Sequence, residues 1–259
     1  MIASEAASID LDAALAELSA NGVVRLGRVL SDEGLGLLGR RLDDILAERV
    51  PHDGLFFQRD APTHRYEDLS YGKGWEGPSP DYRKLEKLEV DPVFREWIGN
   101  PVFERVARTL IGGPVSLYRA VLFNKSAAGG TRLPWHQDGG VFWGVDRPPL
   151  LQIWTALDDC TVESGCVEAV PGTHIGGLAT PDGGVIPEAN LAAASAEARA
   201  VSFPARAGEC LLIHNHVWHR SGVNVSGRRR SALSVCLMHA ETRCLRKKRA
   251  PRQFTTLFP

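Results

Sequence analysis

Three residues in this chain have the types and spacing of a metal centre. His136 and Asp138 lie two apart in Leu133-Pro134-Trp135-His136-Gln137-Asp138-Gly139-Gly140, and His219 lies far downstream in Trp218-His219-Arg220-Ser221-Gly222. Residues i and i+2 of an extended strand project from one face, so an imidazole and a carboxylate at that spacing can meet one ion. A second imidazole completes two neutral nitrogens and one hard anionic oxygen, a set that leaves coordination positions open on a non-haem Fe(II). Arg230 follows His219 by eleven residues and supplies a permanent cation for an acidic cosubstrate. Gly139-Gly140, directly after Asp138, predicts a sharp backbone turn that leaves room beside the metal.

The chain has eight histidines, so other ligand sets compete. His214-Asn215-His216 with His219 forms an H-x-H-x-x-H cluster that could build a cupin-like centre, with His214 and His216 on one strand face and the third ligand from a turn. Otherwise His214 and His216 read as supports of the ligand shell or as barrel wall. His52, His64 and His239 have no partner pattern, and His174 sits in a turn.

The elements that must position these residues follow from the periodicity of apolar positions. Residues 9–20 and 31–49 read as helices, the second opening after Ser31 as N-cap, with a short strand at Gly22-Val23-Val24-Arg25-Leu26 between them. Residues 50–82, rich in Pro, Gly, Asp and aromatics, read as a long ordered loop that lines or covers a site. A helical segment runs from Asp91-Pro92 to about residue 111. Strands are expected near 115–124, 133–138, 150–157, 166–170, 199–203, 209–215 and 231–239, with a short Ala-rich helix from Pro187 to Ala198. Helices first and then at least seven short strands indicate an α+β fold with a double-sheet jelly roll rather than a parallel α/β fold. The expected organisation is one domain over 1–259: a helical part to about 112, a jelly-roll core over about 113–240, and a basic C-terminal tail.

Thirty basic residues against thirty-one acidic ones give a net charge of −1, so bulk charge points to no nucleic-acid partner. There is no GxGxxG or Walker sequence. Five cysteines, an odd number with no CxxC pair, read as reduced thiols. The start Met1-Ile2-Ala3-Ser4-Glu5 lacks the pattern of a signal peptide, and no apolar run reaches membrane-spanning length. A cytoplasmic protein without membrane partners, monomeric or homodimeric, is expected.

The sequence also resembles a known family. His136-Gln137-Asp138, the run from Trp218 to Asn224, and Arg230-Ser231-Ala232-Leu233-Ser234 are similar to the phytanoyl-CoA hydroxylase (PhyH) family. Asn124-Lys125 and Gly165-Cys166-Val167-Glu168-Ala169-Val170-Pro171-Gly172-Thr173-His174 add to the likeness, which is strongest over roughly 115–240. The resemblance implies a double-stranded β-helix using Fe(II), 2-oxoglutarate and O₂, with His136, Asp138 and His219 as metal ligands. It implies that Arg230 grips the distal carboxylate of 2-oxoglutarate with Ser221 adding a hydroxyl. It further implies that Trp154 flanks the cosubstrate, Val121 borders the pocket and Lys84 lies near it. Arg228 and Arg230 would share a strand face, but the register of Ser231-Ala232-Leu233-Ser234 selects Arg230, leaving Arg228 and Arg229 as a solvated turn. The implied chemistry is oxidation of an unactivated C–H coupled to conversion of 2-oxoglutarate to succinate and CO₂. Asp138 stands where halogenating relatives carry a small residue.

The substrate is expected to be a small molecule, with a natural-product intermediate as the class the family's breadth implies. Phe142-Trp143 and Trp75 could form an aromatic wall, and the basic run Arg243–Arg249 could meet an acidic substrate or simply face solvent. Two other classes stay open: a cupin-like isomerase or dioxygenase that does not use 2-oxoglutarate, and a non-catalytic jelly-roll binding protein.

Overall fold

Side-chain caps delimit the helices that precede the barrel. The computed structural model describes residues 9–247 and 251–259. Helix α1 (Leu11–Asn21) begins where the Asp10 carboxylate accepts from the Ala13 N–H, and it ends at Gly22 in the left-handed region, φ 74°. Strand β1 (Val23–Arg28) follows, then α2 (Asp32–Leu46), whose N-cap is Ser31 as expected. The segment expected to run unbroken to residue 111 is two helices, α3 (Pro92–Ile98) and α4 (Pro101–Ile111). Pro101 has no N–H to donate, and Asn100 turns its side chain onto the Val102 N–H, so the chain restarts there.

The expected 50–82 loop contains more order than its composition announces. Its β2 (Phe56–Arg59) pairs with β3 (Tyr82–Glu86), and β3 in turn pairs with β4 (Val115–Lys125). The remaining strands are β5 (Leu133–Gln137), β6 (Leu151–Ala156), β7 (Val167–Val170), β8 (Gly184–Val185), β9 (Val201–Phe203), β10 (Glu209–His214), β11 (Trp218–Ser221), β12 (Arg230–His239) and β13 (Thr256–Phe258). The expected Ala-rich helix is split into α5 (Glu188–Ala193) and α6 (Ala196–Arg199) at Ser195, whose φ is 50°.

Two antiparallel sheets result. The larger runs β1-β10-β6-β12-β4-β3-β2, with β13 also on β4, and the smaller runs β8-β5-β11-β7-β9. The fold is α+β, with the jelly-roll core that the strand pattern predicts. The outer face of the large sheet buries Leu122, Ile153, Leu212, Leu233 and Val235 against Leu38, Leu42, Phe94, Trp97 and Phe103 of the helices. Between the sheets, Trp154, Leu211 and Ile213 pack on Val167 and Ala169. Strand alternation then sends Arg119, Val121, Phe123 and Lys125 of β4, and Arg230 and Ser234 of β12, toward the interior. Among the described residues no helix is long and apolar enough to cross a membrane.

Candidate metal centre and active site

The smaller sheet brings the two distant imidazoles together by register. His219 on β11 pairs directly with His136 on β5, and their ring centroids are 4.0 Å apart. Asp138, one residue past β5, is held by its N–H donating to the Asn215 carbonyl at 2.9 Å, and its Oδ2 lies 3.9 Å from His219 Nε2. One ligand atom from each of the three lies within 4.8 Å of the others, and no other such group exists among the described residues.

Both histidines are oriented in the same way. His136 Nδ1 is 2.9 Å from the Pro134 carbonyl and His219 Nδ1 is 2.9 Å from that of Val217. A carbonyl only accepts, so each Nδ1 carries the proton and donates. Each Nε2 is left as a lone pair facing the common point, the tautomer that a metal needs. Burial, and secondly the neighbouring His219, pushes His136 down to about 4. Burial opposes ionisation of Asp138, but Arg119 and the two imidazoles outweigh it and hold the carboxyl at about 2. Arg119 donates to Asp138 Oδ1 at 3.2 Å and stacks over Trp143, its guanidinium carbon 4.6 Å from the ring centroid; Gln152 Nε2 donates to Oδ2 at 2.6 Å. A donor set of two neutral nitrogens and one fixed carboxylate fits Fe(II).

Gln137, between the ligands, points the other way. It donates to the Gly177 and His216 carbonyls and accepts from the Ala179 N–H, tying β5 to the loop before β8. The glycines after Asp138 have a different use from the one expected. A Cβ on Gly140 would sit 2.3 Å from the Asp182 backbone, so Gly140 makes room for another loop rather than for the metal.

A cavity of about 330 Å³ opens beside the triad. Arg230 is 3% exposed and donates to the Gly165 carbonyl at 2.6 Å, while its Nε is buried without a partner. An orphaned guanidinium N–H in a cavity fits an anionic ligand that completes it. Ser221 and Trp154 line the same cavity, and the guanidinium carbon of Arg230 lies 6.0 Å from the Trp154 ring centroid.

The sequence pattern of the phytanoyl-CoA dioxygenase (PhyH) family matches residues 18–232. The chain belongs to this family. It is 32% identical over 159 residues to the bovine phytanoyl-CoA dioxygenase domain-containing protein 1, covering 58% of this chain and 54% of that protein. It is 30% identical over 172 residues to the L-proline trans-4-hydroxylase of Streptomyces griseoviridis, covering 57% and 63%. The chain thus spans little more than half the length of these relatives. The epimerase SnoN, solved with Fe³⁺, α-ketoglutarate and nogalamycin RO, has the same fold at TM-score 0.70 and 22% identity, covering 93% of this chain and 88% of that one.

Several residues expected at the site stand elsewhere or are otherwise engaged in this PhyH-family chain. Val121 is fully buried opposite Ser234 but is not on the cavity surface. Lys84 lines the cavity with its ammonium ion-paired to Glu86. Trp75 packs away from the site, stacked on Tyr82 at 5.1 Å, whereas Phe142 and Trp143 do line the cavity. His214 ends β10 and His216 lies beyond it in the turn, so they do not share a strand face. Their rings gather with that of His174, apart from His219. Arg228 is exposed as expected, but Arg229 bridges Asp43 and Asp158 and ties β12 to α2. In the basic tail, Arg243 pairs with Asp146 and Arg246 donates to the Phe142 carbonyl, while Lys248 and Arg249 lie outside the described residues.

Arg119 and Gln152 were not singled out from sequence. Their signal was present: a charge and an amide at interior positions of the otherwise apolar runs Leu117–Leu122 and Leu151–Trp154.

Proposed function

We propose that this PhyH-family chain is an Fe(II)- and 2-oxoglutarate-dependent oxygenase that oxidises an unactivated C–H of a small molecule, with hydroxylation as the leading outcome and a natural-product intermediate as the substrate class. One observation carries the reading. Two imidazoles with preset tautomers and a carboxylate converge beside a cavity that also holds a buried, incompletely bonded guanidinium. The substrates named for the proline hydroxylase and the epimerase, both small molecules, support the substrate size. The continuous core shared by the helices and the large sheet supports reading 1–259 as a single catalytic unit.

In this reading His136, Asp138 and His219 hold Fe(II), which when bound supplies O₂ activation coupled to decarboxylation of 2-oxoglutarate. Arg119 and Gln152 keep the Asp138 carboxylate ionised and fixed in orientation. Arg230 takes the distal carboxylate of 2-oxoglutarate through its free donors, Ser221 adds a hydroxyl donor, and Trp154 walls the cosubstrate. Lys84, neutralised by Glu86, shapes the cavity's field rather than binding the cosubstrate, and Val121 is buried on the same strand face as Arg119 and Phe123.

The test is succinate release from 2-oxoglutarate. Uncoupled turnover that requires both Fe(II) and O₂, and that is lost in His219→Ala, is the expected result. A protein that neither binds Fe(II) nor consumes 2-oxoglutarate would leave the non-catalytic binding reading.

A further inference from the structure

Resting on that reading, we infer that the oxidisable substrate is a carboxylic acid and that Arg83 holds its carboxylate. The placement of Arg83 comes from a defect in the sheet. In the β2–β3 ladder Lys84 pairs with Gln58 and Tyr82 pairs with Arg59, so Arg83 is one extra residue opposed by none. Such a bulge re-aims a side chain, and here Arg83 and Lys84, adjacent in sequence, both line the cavity instead of alternating across the sheet.

Once there, the guanidinium is poorly matched. Its hydrogen bond is Nη1 donating to Gln58 Oε1 at 2.9 Å, a neutral acceptor, and it has no carboxylate within ion-pairing distance among the described residues. Gln58 is itself fixed, buried and donating to the Ser70 carbonyl at 3.0 Å. The carboxylate with the strongest electrostatic pull on Arg83, Asp60, is already engaged by the Thr131 N–H and hydroxyl. Burial pushes the Arg83 guanidinium down against the combined pull of Asp60, Tyr71 and Tyr66, which is the situation of a cation waiting for a partner.

The charges around the cavity indicate what kind of partner. Lys84 is neutralised by Glu86, Arg119 by Asp138, and Arg220 by Glu168 and Glu197. Lys125 is taken by the Thr131 and Gly222 carbonyls, and Arg230 is reserved for the cosubstrate. Apart from Arg230, Arg83 is the guanidinium on this cavity with no acid against it among the described residues, and a planar guanidinium matches a carboxylate through two parallel hydrogen bonds. Tyr66 and Tyr71 also line the cavity near Arg83 and add hydroxyl donors, while Phe123 and Phe142 offer apolar wall to the rest of the molecule.

The test titrates benzoate, phenylacetate and octanoate, each beside its carboxamide, into the protein held without oxygen with Fe(II) and saturating 2-oxoglutarate. Binding is read by tryptophan fluorescence, since Trp143 and Trp154 line the cavity. At least one acid should bind more tightly than its amide. Arg83→Gln should weaken that acid by roughly 10- to 100-fold, the scale of a charge-assisted hydrogen bond, without lowering 2-oxoglutarate affinity or the thermal midpoint. Arg83→Lys should recover part of the loss.

The wild-type contrast between acid and amide needs no variant, so a misfolded Arg83→Gln does not rescue the idea. If no acid is preferred over its amide, or if Arg83→Gln binds the preferred acid as wild type does, the inference is wrong. Failure of the oxygenase reading registers separately as absent 2-oxoglutarate binding. In that case the acid–amide contrast is read on the metal-free protein, with Arg230→Gln separating the two guanidinium sites.

Discussion

Replacing Arg230 with methionine should change stability and ligand affinity in opposite directions. In the absence of cosubstrate, Arg230 is a buried cation that donates to the Gly165 carbonyl and whose Nε has no partner among the described residues. Taking an ion out of water costs several kcal/mol after relaxation, whereas a carbonyl left unpaired costs about 1–3 kcal/mol. Arg230→Met removes the first and incurs the second, so the metal-free, ligand-free protein should gain about 1–3 kcal/mol. At roughly 2–4 °C per kcal/mol for a chain of this size class, the thermal midpoint should rise by several degrees. The bound state should lose about 2–5 kcal/mol with the charge-assisted pair, weakening 2-oxoglutarate by about 30-fold to several thousand-fold. Thermal denaturation with and without 2-oxoglutarate, followed by calorimetric titration, reads both effects. A variant less stable than wild type, or one that binds 2-oxoglutarate within about threefold of it, refutes the reasoning.

Further outcomes follow from other contacts. Gly140→Ala forces a Cβ to 2.3 Å from the Asp182 backbone at φ 81°, and should cost more than about 3 kcal/mol in urea denaturation. Gly172→Ala, at a similar φ of 80° with open space around it, should cost only about 1–2 kcal/mol; equal losses would show that the close backbone approach is unimportant. His136 and His214 are both held by burial at about 4, well below the ordinary histidine value, so the unfolded chain binds more protons between about 4 and 6.5. The metal-free protein should therefore lose stability as pH falls through that window, and a flat urea midpoint from pH 7 to pH 4 would contradict neutral buried imidazoles. Arg119→Met removes the leading favourable influence on the Asp138 carboxyl, so the Asp138 pKa should rise from about 2, observable by carboxyl-labelled NMR of metal-free protein; an unmoved resonance would mean that the ion pair does not form in solution.

Local chemistry wrote much of this protein directly into its residues. The N-cap at Ser31, the seven expected strands and the His-x-Asp pair are short-range features, set by the geometry of neighbours in the chain, and they were legible without coordinates. The resemblance pointed to His219 and Arg230 because their surrounding motifs are local as well. What the sequence could not announce depends on which strand lies beside which. The pairing of His219 with His136 is a matter of register between segments more than eighty residues apart. The bulge that turns Arg83 inward exists only against β2, and β2 itself was hidden in a stretch whose Pro and Gly content reads as loop. Arg229 was read as a solvated turn, yet it bridges Asp43 and Asp158, acids that packing alone brings to it. Residue types fix what chemistry is available, whereas the balance of charges in the cavity is decided by long-range contacts. That is why the metal ligands were readable from the sequence, while a guanidinium turned into the cavity with no acid against it became visible only in three dimensions.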